Sequence, residues 1–140
     1  MNILFMCVAN SARSQMAEGL AKNILGDKAW IESAGSEPKN VNPFALEVMK
    51  EIGIDISRHY SKSYEQLSPQ FIVGLNYIIT LCAEEVCPVM AAPNANRLHW
   101  GFTDPANPTA DRDKQLAIFR EIRDGIRAKI EAFKEDKAVR

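Results

Sequence analysis

The stretch Asn2-Ile3-Leu4-Phe5-Met6-Cys7-Val8-Ala9-Asn10-Ser11-Ala12-Arg13-Ser14-Gln15-Met16-Ala17-Glu18-Gly19 decides the fold. Asn2 to Met6 is a short apolar run without helical spacing, as in a buried strand. From Ser14 the apolar residues Met16, Leu20, Ile24 and Leu25 return at helical intervals, and the pattern stops at Gly26-Asp27. Cys7 to Ser14, small and polar, is then the turn between a strand and a helix.

Working outward, the same alternation continues. Trp30 to Ala34 reads as a second strand closed by Gly35. Asn42-Pro43 opens a helix carrying Phe44, Leu46, Val48, Met49 and Ile52, with Gly53 at its exit. Short helices are expected at 64–67 and 69–73. The β-branched and aromatic run 76–81 predicts the strongest strand. Residues 82–96, with two cysteines and two prolines, read as mostly loop, and 97–100 as a short last strand. After the turn-rich 101–108 segment, Asp111 and Asp113 favour a helix start. Leu116, Phe119, Ile122, Ile126, Ile130 and Phe133 then form one apolar stripe. Strands alternating with helices imply an α/β fold: one domain over 1–140, a parallel sheet with helices on both faces. Ligands in such folds bind beyond the carboxyl ends of the strands. Cys7, Cys82 and the 101–105 loop all follow strands and should meet there.

Composition narrows the function. The chain of 140 residues is 46% hydrophobic and 25% charged, with a net charge of −1. No basic patch or tail points to nucleic acid. No apolar run reaches a membrane span, and the 3–6 run lacks a basic leader, so a cytoplasmic protein is expected. Three cysteines are too few for a disulfide scaffold and suit a reducing compartment, where they are either inert core or reactive.

The segment Cys7-Val8-Ala9-Asn10-Ser11-Ala12-Arg13-Ser14 has the makings of an oxyanion cradle. Curled at a helix N-terminus, its successive amides form an anion nest. Arg13 adds a planar fork matched to two oxygens of a tetrahedral anion. A cysteine in such a field is favoured as the nucleophilic thiolate. Ser14 is placed to donate to the sulfur, and Asn10 tolerates the left-handed backbone that a tight loop needs. The Cys-to-Arg spacing alone is weak evidence; its place in a strand-to-helix turn is what gives it weight.

Cys7 to Gly19, Asn42-Pro43, Thr80-Leu81-Cys82 and His99-Trp100-Gly101-Phe102-Thr103-Asp104-Pro105-Ala106 together resemble arsenate reductases of the low-molecular-weight tyrosine phosphatase fold, over nearly the whole chain. The resemblance implies a four-stranded parallel sheet, arsenate as substrate with phosphate as analogue, no bound cofactor or metal, and a monomer. It also implies an external thiol reductant, thioredoxin favoured over glutathione and glutaredoxin. It assigns Cys7 as nucleophile, Arg13 as anion clamp and Asp104 as the acid that protonates the departing oxygen. It further implies a relay: Cys82 attacks Cys7 to release arsenite, and Cys87 then takes the disulfide as Cys82–Cys87. In a helix, residues 82 and 87 would have Cα atoms about 8.6 Å apart, more than the roughly 7 Å a disulfide spans. Closing that bond should therefore unwind the segment.

Asn10, Glu18 and Ser33 match residues that order a potassium ion in some relatives, but Lys62 falls where a fourth, acidic ligand is usual. Two readings of Lys62 stand side by side: its ammonium sits in the cation's place, paired with Glu18, or it is a solvated surface residue. Ala9 stands where Gly is frequent, and Ala12 where a further Cys is frequent. Gln15 stands where the phosphatases usually carry Pro. His59 and His99 are read as structural, Trp30 and Trp100 as core or rim. Two rival functions remain: a low-molecular-weight phosphotyrosine phosphatase, which has no use for Cys82 or Cys87, and a non-catalytic oxyanion or redox sensor.

Overall fold

The computed structural model describes residues 1–83, 92–107 and 109–137. Its order is β1 (Asn2–Cys7), α1 (Arg13–Leu25), β2 (Trp30–Gly35), α2 (Pro43–Glu51), α3 (Pro69–Val73), β3 (Leu75–Thr80), β4 (Asn96–His99) and α4 (Arg112–Asp136). Single 3-10 turns lie at Gly26–Lys28 and Tyr64–Gln66. Sequence patterning places the four strands and the first three helices within one or two residues, while the 3-10 turn at Gly26–Lys28 was not expected. β3 begins at Leu75 rather than 76 because Leu75 already pairs with Asn2. α4 begins after Asp111, whose carboxylate accepts from the Lys114 amide at 2.8 Å. Asn42 caps α2 through the Phe44 amide in the same way, and Ser68 caps α3 through Phe71.

The four strands lie in the order β2-β1-β3-β4, and every pairing is parallel. β1 alternates strictly. Ile3 and Phe5 face a core built with Met16, Leu20, Val48, Phe119 and Ile126 from α1, α2 and α4. Leu4 and Met6 face a smaller cluster with Leu67, Phe71 and Ile78, under α3 and the 64–66 turn. The sheet is thus covered on both faces, as a parallel sheet requires. From β1 the chain steps to β2 on one side and later returns to place β3 on the other. The crevice beyond the ends of β1 and β3 is therefore the topological switch point, where such sheets bind ligands. No helix among the described residues is long and apolar enough to cross a membrane.

Candidate active site

Cys7 ends β1 at this crevice, 2% exposed. The carbonyls of the loop that follows all have partners, in β2's continuation, the 60–63 segment or α1 itself. Glu37 and Lys39 amides donate to Val8 and Ala9 at 2.9 Å, the Asn42 amide to Ser11 at 2.8 Å, and the Met16 amide to Ala12 at 2.9 Å. Asn10 O accepts from Ser61 Oγ at 2.6 Å and Gln15 Nε2 at 3.1 Å. A trans peptide directs its N–H opposite to its carbonyl, and no peptide here is cis. The amides of residues 9 to 13 are therefore directed away from those partners. α1 is capped at Ala12 without a side-chain bond.

The loop closes because Asn10 adopts φ 49°, a left-handed backbone that Asn tolerates. Its buried side chain is fully used. Nδ2 donates to Ser14 Oγ at 2.8 Å and Ser33 Oγ at 3.0 Å. Oδ1 accepts from the Lys62 amide and from Gln15 Nε2, both at 3.0 Å. Ser14 Oγ, already accepting from Asn10, lies 2.9 Å from Cys7 Sγ, a contact in which either atom can donate and in which Ser14 is the donor to a thiolate. Gly35 lets β2 lie against the loop. A Cβ there would stand 2.4 Å from Val8 O and 2.8 Å from Cys7 O.

Arg13, 4% exposed, donates through Nη1 to the Phe102 carbonyl at 2.9 Å. The Phe102 amide in turn donates to Leu81 O at 3.0 Å. Arg13, the loop leading to Asp104 and the end of β3 are thus joined through the Phe102 main chain. Asp104 itself is exposed, its Oδ1 accepting from the Ala106 amide at 3.0 Å. Leu81 continues alongside β1, its amide bonded to Met6 O at 2.9 Å. Cys7 therefore ends β1, and Cys82 lies just past the end of the neighbouring strand β3. Cys82 is buried and disulfide-bonded, and Cys7 is a free thiol. Cys87 lies outside the described residues.

Behind the loop, Glu18 is 3% exposed, accepts from Ser33 Oγ and from Lys22 Nζ at 2.6 Å, and forms a looser ion pair with Lys62 Nζ at 3.9 Å. Burial would raise its pKa, but His59, the Lys22 and Ser33 hydrogen bonds and the Lys62 charge outweigh burial and hold it below the ordinary carboxylate value. Lys62 is buried and also stands 4.0 Å from Glu32 Oε2. Burial, joined by the Glu18 charge, raises the Glu32 pKa despite Lys62. An ammonium between two carboxylates supplies the positive charge there, and this donor set does not fit a potassium ion as well. Among the described residues no three His, Cys, Asp or Glu side chains are grouped to hold a metal.

Three contributors escape sequence reasoning. Glu32 as second partner of Lys62 depends on pairing between β2 and the 60–63 segment. The Phe102 carbonyl leaves no side-chain signal. Gln15 was legible only as a departure from Pro. His59, read as structural, packs on Gln15 and Glu18.

The profile of the low molecular weight phosphotyrosine protein phosphatase family matches residues 2–139. An arsenate reductase of Halalkalibacterium halodurans is 44% identical over 135 residues, 95% of this chain and 94% of that one. A solved arsenate reductase in a phosphate-binding state superposes with a TM-score of 0.74 at 31% identity, covering 96% of this chain and 97% of its own. The Corynebacterium glutamicum thioredoxin-dependent arsenate reductase gives 0.67 at 30% identity, this chain covering 62% of its length.

Proposed function

The chain belongs to the low molecular weight phosphotyrosine protein phosphatase family, and within it we propose a thiol-dependent arsenate reductase serving arsenic detoxification. The observation that carries the reading is the pairing of an oxyanion cradle at Cys7 with Cys82 at the end of the neighbouring strand. The similarity to named arsenate reductases supports it.

Arsenate enters the cradle, its oxygens met by the loop amides and by Arg13. The Cys7 thiolate attacks arsenic(V), and one oxygen leaves as water with the proton from Asp104. Once its disulfide has been reduced by the external dithiol, the Cys82 thiolate attacks the Cys7 sulfur. The S–As electron pair passes to arsenic, which leaves as arsenite, arsenic(III), and Cys7–Cys82 remains as a disulfide. Cys87 attacks Cys82, frees Cys7 and carries the two-electron oxidation outward as Cys82–Cys87. An external dithiol of the thioredoxin class returns the two electrons. Such a cycle requires a reducing compartment, for which the cytoplasm is the natural setting. No partner chain is needed for any step, so a monomer suffices.

The test is arsenate-dependent NADPH oxidation with thioredoxin and thioredoxin reductase, or with glutathione and glutaredoxin, beside p-nitrophenyl phosphate hydrolysis. Turnover lost in C82S and in C87S, with weak phosphatase activity kept, supports the relay. A phosphatase would be indifferent to both changes, and an oxyanion sensor would turn over neither substrate. Hydrogen exchange over 82–96 should quicken on oxidation if closing Cys82–Cys87 unwinds the segment. Unchanged exchange there would sink that part of the proposal.

A further inference from the structure

Gln15 is fully buried one residue past the cradle, and the relay just described assigns it nothing. Its amide nitrogen has three oxygens within reach: Asn10 O at 3.1 Å, Asn10 Oδ1 at 3.0 Å and Tyr60 O at 3.1 Å. All three are acceptors, since Asn10 Oδ1 also takes the Lys62 amide proton. Gln15 must therefore present NH2 to them, and its own Oε1 must face the other way. There His59 Nδ1 stands at 3.1 Å. An amide oxygen cannot donate, so Nδ1 carries a proton.

We infer that Gln15 is a positioning residue for the Cys7 sulfur, and that His59 holds it there through Nδ1–H. The directions of donation run one way. His59 Nδ1–H donates to Gln15 Oε1, and Gln15 Nε2–H to both oxygens of Asn10. Asn10 Nδ2–H donates to Ser14 Oγ, and the Ser14 hydroxyl to Cys7 Sγ. With Gln15 holding both Asn10 oxygens, the Asn10 amide is fixed with NH2 toward Ser14. An Asn10 turned the other way would offer Ser14 an acceptor and draw its proton off the sulfur. Among the described residues no buried side-chain nitrogen or oxygen lacks a partner, so the chain of donors is closed at every link.

His59 has a second contact, Nε2 to Glu18 Oε2 at 3.6 Å, in a cluster shared with Lys22 and Lys62. The two nitrogens can be separated by substitution. Asn places a donor where Nδ1 stands, and Gln places one where Nε2 stands. The inference rests on Cys7 as nucleophile, so each variant is made in a C82S/C87S chain in which Cys7 is the sole thiol. The readout is the rate of Cys7 alkylation by iodoacetamide at pH 6.5.

Loss of one aligned donor chain should slow alkylation about tenfold in Q15L. At His59, H59N should recover most of what H59L loses, and H59Q should not. Equal rates in Q15L and its parent overturn the inference. So do equal rates in H59N and H59Q, a comparison that stands even if Q15L does not fold. Matched circular dichroism and melting temperatures in the H59 pair set aside a general loss of structure. Arsenate turnover surviving C7S would instead overturn the nucleophile reading. An inactive C7S with unchanged Q15L alkylation overturns the positioning role alone.

Discussion

Ser14 Oγ lies 2.9 Å from Cys7 Sγ and 2.8 Å from the Asn10 Nδ2 that donates to it. A hydroxyl that already accepts from an amide has its own proton left to give, and to a Cys7 thiolate it is the donor. Ser14→Ala therefore removes a donor from developing and resting charge on sulfur, and strands one Asn10 proton as well. Hydrogen bonds to charged groups contribute about 1.5–3 kcal/mol, which is roughly a ten- to hundredfold loss in kcat for arsenate. Steady-state kinetics with circular dichroism check it; an unchanged kcat in a folded S14A would remove Ser14 from the chemistry.

Gly35 is tied to the same loop by absence of bulk. A methyl there meets only backbone: Val8 O at 2.4 Å, Cys7 O at 2.8 Å and Asn10 N at 3.0 Å. Backbone cannot swing aside as a side-chain tip can, so either β2 or the cradle must shift. Gly35→Ala should cost about 1–3 kcal/mol, the usual penalty of overpacking. It should also weaken inhibition by phosphate, read by chemical denaturation and by competition. Wild-type stability together with wild-type phosphate affinity would mean the contact is soft.

The fold was legible in the sequence because its signals are local. β1, β3 and the stripe from Leu116 to Phe133 carry clean periods, and Asn42, Asp111 and the glycines mark the ends. The cradle was legible for the same reason, being one continuous segment from Cys7 to Ser14. What could not be read lies across the chain. The strap of Glu37, Lys39 and Asn42 acts through main-chain amides, which any residue but proline supplies. The Arg13–Phe102 bond uses a carbonyl, and Lys62 reaches Glu32 only because the 60–63 segment lies beside β2. Cys82 could be placed at the end of β3 by pattern, but its role came from resemblance alone.

Lys62 makes a distinct prediction about ions. Its ammonium stands 3.9 Å from Glu18 and 4.0 Å from Glu32 with both its own and the Glu18 side chain buried. A second cation in that space would be repelled. Arsenate turnover and melting temperature should therefore differ little between potassium and sodium salts at equal ionic strength. Clear activation by potassium would contradict the reading. Lys62→Met removes the charge and leaves the carboxylates closer to unpaired, although Glu18 keeps Lys22 and Ser33. A loss of about 1–3 kcal/mol is expected, measured by urea unfolding.

The same cluster sets how stability follows pH. Burial, together with the Lys22 and Lys62 charges, lowers the His59 pKa below its ordinary 6.5 despite Glu18. Between the lowered value and 6.5 the unfolded chain binds the His59 proton and the folded chain does not, so stability falls as pH falls through that window. Glu18 has the same sign lower down. Its folded pKa lies below the ordinary 4.5, so its contribution is whole above 4.5 and is lost as pH drops through the lowered value. Glu32 opposes both: its pKa is raised above 4.5, so its contribution is whole at low pH and fades as pH rises through the raised value. The melting temperature should thus decline from pH 7 toward pH 5, chiefly through His59. H59N should flatten that slope while leaving the steeper acid loss below pH 4.5. A slope above pH 5 that is the same in H59N would place the titrating group elsewhere in the molecule.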